Sequence, residues 1–180
     1  MARQVKIITA AEAAALIKNG DTVTTSGFVA SAIPEALDRA VEERFLATGE
    51  PRDITYVYCG SQGNKDGRGA EHFAHEGLLK RYIAGHWATV PALQKMALEN
   101  KMEAYNVSQG ALCHLFRDIA AHRPGCFTKV GLGTFIDPRN GGGKVNDVTK
   151  EDIIELVNIK GQDYLFYPSF PIHVAMIRGT

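Results

Sequence analysis

His72 and His75, flanked by Glu71 and Glu76, are the densest group of metal-ligating side chain types in the 180-residue sequence. A zinc-protease helix sets its histidines four apart around a glutamate, so a spacing of three reads instead as a solvated loop end. His86, His114, His122 and His173 are scattered, and each reads as a structural histidine; Trp87 beside His86 suits either a ligand pocket or plain packing. The thiols Cys59, Cys113 and Cys126 are odd in number and widely spaced, without a C-x-x-C pair. They read as small buried residues kept reduced in a cytoplasmic setting, not as a metal or disulfide framework.

Three glycine-rich stretches fail the tests for known phosphate or nucleophile loops. DPRNGGGKV carries Pro138 where a phosphate loop needs its first glycine, and Val145 where it needs Ser or Thr. GLGTFI has Gly131 and Gly133, but Ile136 holds the place of the third glycine of a dinucleotide fingerprint. GSQG around Ser61 lacks the glycine two places before the serine that a hydrolase elbow requires. Gly27 differs, because it follows the β-branched run Thr22–Thr25. A glycine there lets backbone approach a ligand at the carboxyl end of a strand, or merely turns the chain.

The elements that must position these residues are legible in outline. Thr9 and Glu12 form a capping box before an Ala-rich helix that runs to about Lys18 and stops at Asn19-Gly20. Thr22–Thr25 reads as a buried strand, and Pro34 opens a helix whose Leu37, Val41 and Phe45 share one face. Strands follow at 54–58, 82–84 and 104–107, with a helix at 91–100 and another, capped by Ser108, running to about Ala121. Residues 59–77 and 124–147 read as long loops, 153–159 with 164–167 as a hairpin, and 172–177 as a last strand. This is an α/β domain: an open, mainly parallel sheet with helices on both faces and an appended antiparallel hairpin. Its length suits one domain, residues 1–180. Twenty basic and twenty acidic residues cancel, which argues against nucleic acid or an anionic membrane as partner. No apolar run of about 18 residues spans a bilayer, and the first residues lack a signal-peptide pattern.

Four segments taken together carry a resemblance: SGFVASAIPEAL (26–37), GHWATVPAL (85–93), AYNVSQGAL (104–112) and GLGTFIDPRNGGGKVND (131–147). In them the sequence resembles the class I CoA-transferases, nearest the single-chain propionate and the acetate/acetoacetate enzymes. The family's Gly-Gly-Phe-x-x-x-Gly-x-Pro signature is met with two departures, Ser26 for the first glycine and Ala32 for the later one.

The resemblance implies the CoA-transferase/sugar-phosphate isomerase type of fold and a ping-pong transfer of coenzyme A between short acyl-CoA esters and carboxylates such as acetate. Coenzyme A is then a substrate, with no cofactor and no metal. Ser26, Gly27, Phe28, Val29 and Gly110 would line the substrate site. Gln109 would donate to the thioester carbonyl, where a neutral amide steadies developing negative charge without neutralising a carboxylate nucleophile. The bland alternative is that Gln109 helps cap the helix after Ser108.

The family's nucleophilic glutamate sits in a Glu-x-Gly loop, and none occurs here: Glu35, Glu71, Glu76 and Glu103 do not match. The chain is therefore expected to be the N-terminal part of a transferase, inactive by itself, whose partner is the missing catalytic half. An unpaired sheet edge is expected to favour a homo-oligomer. The alternatives are a sugar-phosphate sensor or binding domain and a sugar-phosphate isomerase of the same architecture. A sensor would bring a DNA-binding helix-turn-helix and an isomerase a phosphate cradle.

Overall fold

The computed structural model describes residues 5–179. Helix α1 (Ala10–Ala14) starts at Thr9, whose hydroxyl accepts from the Glu12 amide while the Glu12 carboxylate accepts from the Thr9 amide. It is shorter than the sequence suggests, because the chain tightens into turns after Ala14. The order continues as β1 (Thr22–Thr25), α2 (Glu35–Thr48), β2 (Ile54–Tyr58), β3 (Leu79–Ala84), α3 (Pro91–Leu98), β4 (Glu103–Asn106) and α4 (Gln109–Ala120). Three further strands, β5 (Gly125–Thr128), β6 (Glu155–Ile159) and β7 (Gln162–Pro168), precede β8 (Val174–Met176).

Strands β4-β3-β2-β1-β8 form one sheet in that order, every neighbouring pair parallel. Side chains alternate across it, as a pleated strand requires. Ile54, Tyr56, Tyr82 and Ala104 enter the core built with α1, α2 and α3. Val57, Ile83 and Tyr105 enter a second core with Ala111, Leu112 and Leu115 of α4 and with Leu165 and Tyr167 of β7. Helices thus cover both faces, as the strand–helix alternation implies. The expected hairpin exists as β6 and β7, but it is two thirds of a three-stranded antiparallel sheet, β5-β7-β6.

Each expected long loop holds ordered structure. Residues 70–73 form a 3-10 turn, and 124–147 contains β5. Lys144 of the second loop forms an antiparallel bridge with Tyr105, so this segment adds to the β4 edge of the main sheet. Its three cations are all engaged, Arg139 with Asp137 at 2.7 Å, Lys144 with Asp152, and Lys129 donating to Gln162 Oε1 at 2.6 Å, which fits a structural loop.

The histidine pair is corrected too. His72 is buried, and its ring nitrogens lie 2.9 Å from Glu35 and 2.5 Å from Glu42 of α2, while His75 lies 2.6 Å from Glu42. Glu71 is likewise buried, accepting from the amides of Gly67 and Ala92, each at 2.9 Å. This is an ionic seam that fastens 67–75 to the helices, not a solvated loop end. Among the described residues no group of three or more His, Cys, Asp and Glu is arranged to hold a metal, and no helix is long and apolar enough to cross a membrane.

Candidate functional site at the carboxyl edge of the sheet

Because β1 to β4 run parallel, the segments that leave them emerge at one edge: 26–32 after β1, 59–63 after β2, 85–87 after β3 and 107–110 after β4. An edge of this kind is where open α/β sheets bind ligands.

The 26–32 segment is a tight turn. Phe28 and Ser31 exchange backbone hydrogen bonds, each 2.9 Å, and Val29 pairs in parallel with Gln62 of the neighbouring tip. Gly27 has φ +118°, and a Cβ there would lie 2.9 Å from the Ser31 carbonyl oxygen and 3.0 Å from Gln62 Nε2. Glycine is therefore required for conformation and for space. Ala32 has φ +55°, so it holds the left-handed conformation that the glycine of the signature would take freely. Val29 shares the left-handed region at φ +54°, an unusual place for a β-branched residue and a mark of local strain.

Gln62 is fully buried and holds this turn to the sheet. Its Oε1 accepts from Thr25 Oγ1 at 2.5 Å and from the Tyr56 hydroxyl at 2.6 Å, and its Nε2 donates to the Ser26 carbonyl. Ser26 Oγ donates to the Ala32 carbonyl and accepts from the Arg178 amide at 2.8 Å. The serine in the place of the signature's first glycine thereby ties the turn to the segment after β8. Neither residue carries a motif signal in the sequence: Gln62 lies in a GSQG stretch that fits no hydrolase elbow, and Tyr56 sits inside an ordinary strand.

Gln109 is the first residue of α4, and Ser108 is the cap, its Oγ accepting from the Ala111 amide. The capping role therefore belongs to Ser108, and the exposed Gln109 side chain is free for another. A Cβ built on Gly60 would lie 3.5 Å from Gln109 Oε1 and 3.7 Å from Phe28 Cε2. Phe28, 61% exposed, thus reaches from the β1 tip across the β2 tip to the same point that the Gln109 amide approaches from β4. Gly27 itself stays with Gln62 at the base of the turn. Gly110 has open space around it, and Trp87 packs edge-on against Tyr82 at 4.7 Å, part of the first core rather than a pocket wall.

Gly85, after β3, is the tightest junction. A Cβ there would sit 2.2 Å from the Cys59 carbonyl oxygen and 2.7 Å from the Gln109 Cα, both backbone atoms that cannot swing aside. Gly85→Ala should force the β2 tip and the first turn of α4 apart. The expected loss is roughly 1–3 kcal/mol in unfolding free energy, read by urea denaturation; an unchanged midpoint would contradict this packing.

A parallel sheet covered by helices, with apolar, glycine and amide groups gathered at its strand tips, defines an open α/β domain, and sequence comparison gives the family. Residues 7–180 match the model of the family described as Coenzyme A transferase, and the chain belongs to that family. It is 43% identical over 175 residues to the caffeate CoA-transferase of Acetobacterium woodii, covering 97% of this chain and 33% of that one. Against the acetate CoA-transferase YdiF of Escherichia coli K12 it is 38% identical over 179 residues, covering 98% and 34%. The crystal structure of the acyl-CoA transferase YdiF apoenzyme from E. coli O157:H7 superposes with a TM-score of 0.91 at 36% identity, over 96% of this chain and 34% of that one. The chain thus spans about a third of the length of these relatives.

Proposed function

We propose that this chain forms the acyl-CoA-facing N-terminal part of a CoA-transferase that moves coenzyme A between short acyl-CoA esters, such as propionyl-CoA or acetyl-CoA, and carboxylates such as acetate. The observation that carries the reading is the meeting of Phe28 and Gln109 over Gly60. One side of that point is an exposed aromatic ring, suited to the apolar part of a ligand. The other is a neutral amide, suited to a thioester oxygen that gains charge as it is attacked.

In this reading the reaction is ping-pong. A glutamate outside these 180 residues attacks the acyl-CoA carbonyl carbon, and the oxygen's developing charge falls to the Gln109 amide N–H. The thiolate of CoA leaves and returns to form a glutamyl thioester, which the second carboxylate then takes apart. Gln62, through Thr25, Tyr56 and Ser26, keeps the 26–29 turn in place during these steps. The partner is the part of the relatives that this chain does not span. The outer side of β8, which pairs only with β1 among the described strands, is a surface for further chain or for a second copy.

Thermal-shift titration of the chain with acetyl-CoA, a sugar phosphate and acetate tests the reading. Acetyl-CoA should raise the melting temperature and the sugar phosphate should not; the reverse pattern would favour a sugar-phosphate sensor or isomerase. Transfer from propionyl-CoA to acetate should be absent with this chain alone and appear in the full-length enzyme. Turnover by the chain alone would overturn the assignment of the nucleophile to the missing part.

A further inference from the structure

The sheet-facing side of α4 carries Leu112 and Leu115. Cys113, though expected to be buried with Cys59 and Cys126, turns outward; Cys59 is half-buried and only Cys126 is buried. That sheet-facing side does not close fully on the strands. A cavity of about 210 Å³ lies between α4, β3 and the end of β7. Its inner wall is Ile83, Val107, Leu112, Leu115 and Tyr167, all buried. Its mouth holds Thr22 and Thr55, near the starts of β1 and β2, and the exposed Glu151 and Asp152. The cavity therefore opens toward the amino edge of the sheet, at the other end of the strands from Phe28 and Gln109.

Size, one orphaned donor and the charge at the mouth define what fits. A dry apolar cavity of about 150 Å³ already takes a benzene ring, so this one has room for a ring and a small substituent. Tyr167 is 2% exposed, and its hydroxyl proton has no acceptor among the described residues. Leaving a buried donor unpaired is costly, and a ligand oxygen beside it would remove that cost. Burial pushes this hydroxyl up to about 12, so it stays protonated and can only gain by donating. At the mouth, Arg81 is engaged by Glu103 and Glu151, and Lys144 by Asp152. Two cations thus face three carboxylates, which repels an anionic head, while a cationic one would meet a donor at the inner wall. We propose that the cavity is a second binding site, for an uncharged molecule of single-ring size whose one acceptor oxygen bonds to the Tyr167 hydroxyl. This site is separate from the CoA-ester site and does not depend on that reading.

The test is titration of the isotope-labelled chain with acetophenone, a neutral aryl ketone, followed through methyl resonances by NMR. The methyls of Ile83, Val107, Leu112 and Leu115 should shift together and saturate. Benzoate, the same ring bearing a carboxylate, should bind at least roughly tenfold more weakly, because burying its charge is costly. Tyr167→Phe should weaken acetophenone by roughly three- to tenfold, the loss of one hydrogen bond, and leave the affinity for ethylbenzene, which has no acceptor, unchanged. Methyls that do not respond, shifts confined to residues 26–32 and 109–110, or benzoate binding as tightly as acetophenone would overturn the proposal. So would a Tyr167→Phe protein that binds acetophenone as wild type does, or that loses both ligands equally. The wild-type comparison of acetophenone with benzoate decides the matter even if the variant misfolds.

Discussion

Gln109→Ala in the full-length enzyme should lower kcat by roughly 10²–10³, the usual cost of removing one oxyanion donor, while KM for acyl-CoA changes little. The split follows from where the contact acts. An amide N–H that strengthens its hydrogen bond as the thioester oxygen gains charge contributes mostly in the transition state, so its loss falls on kcat. Gln109→Glu should be at least as damaging, because a carboxylate in that position repels both the oxygen and the attacking glutamate. The bland alternative, a capping role, makes a different forecast. Ser108 Oγ is the group that accepts from the Ala111 amide, so Ser108→Ala should cost about 1 kcal/mol of stability. Gln109→Ala should cost almost none, because the side chain is exposed. A Gln109→Ala protein that melts early but turns over normally would remove Gln109 from the chemistry.

The sequence revealed those parts of the fold whose causes are local. The Thr9/Glu12 box, the β-branched run 22–25, Pro34 at the start of α2 and Ser108 at the start of α4 each act within a few residues, and each is found where the spacing places it. Strand β5 was missed because Gly125-Cys126-Phe127-Thr128 carries no strong strand signal; its partner is β7, some forty residues further on. The burial of His72 was missed for the same kind of reason, since its carboxylate partners Glu35 and Glu42 lie far back in the chain.

At the site, Gly27, Phe28 and Gln109 were singled out, and the structure brings Phe28 and Gln109 to one point. What the sequence did not disclose is how that point is held. Gln62 and Gly85 act through contacts with Ser26 and Cys59 that exist only once four strand tips lie side by side. Ala32 shows the opposite case. Its type departs from the signature, yet its φ of +55° lies in the left-handed region that glycine favours, which only coordinates reveal.

Asp38→Asn should stabilise the protein above pH 7 and lose that advantage near pH 4. Asp38 lies on α2 between Glu35 and Glu42, is fully buried, and neither carboxyl oxygen has a hydrogen-bond partner. Burial raises its carboxyl from 3.8 to about 7, with His72 opposing and Glu35 adding to the shift. The folded state therefore holds a proton that the unfolded chain releases near its ordinary value. Stability falls as pH rises from about 4 to about 7, and the full penalty applies above that. At about 1.4 kcal/mol per pH unit the bound is on the order of 4 kcal/mol, and the unpartnered asparagine amide should hold the measured gain to about 1–3 kcal/mol.

The neighbours reinforce the acidic preference on one side and limit it on the other. Burial disfavours the charged His72 ring, but its hydrogen bonds to Glu35 and Glu42 overcome this and raise it, so its contribution is lost as pH rises through that raised value. Glu35 and Glu42 are held below the ordinary carboxylate value, since hydrogen bonds with His72, His75 and Gly69 outweigh their burial. Their contribution is lost only in stronger acid. Wild type should thus be most stable in mildly acidic buffer, and Asp38→Asn should flatten the alkaline side of that profile in urea titrations from pH 4 to 8. Equal stability of the two proteins at pH 8 would mean that Asp38 finds a partner or solvent that its buried position denies it. A gain at pH 8 that fades by pH 4 would place the cost on the buried, unpartnered Asp38 carboxylate itself.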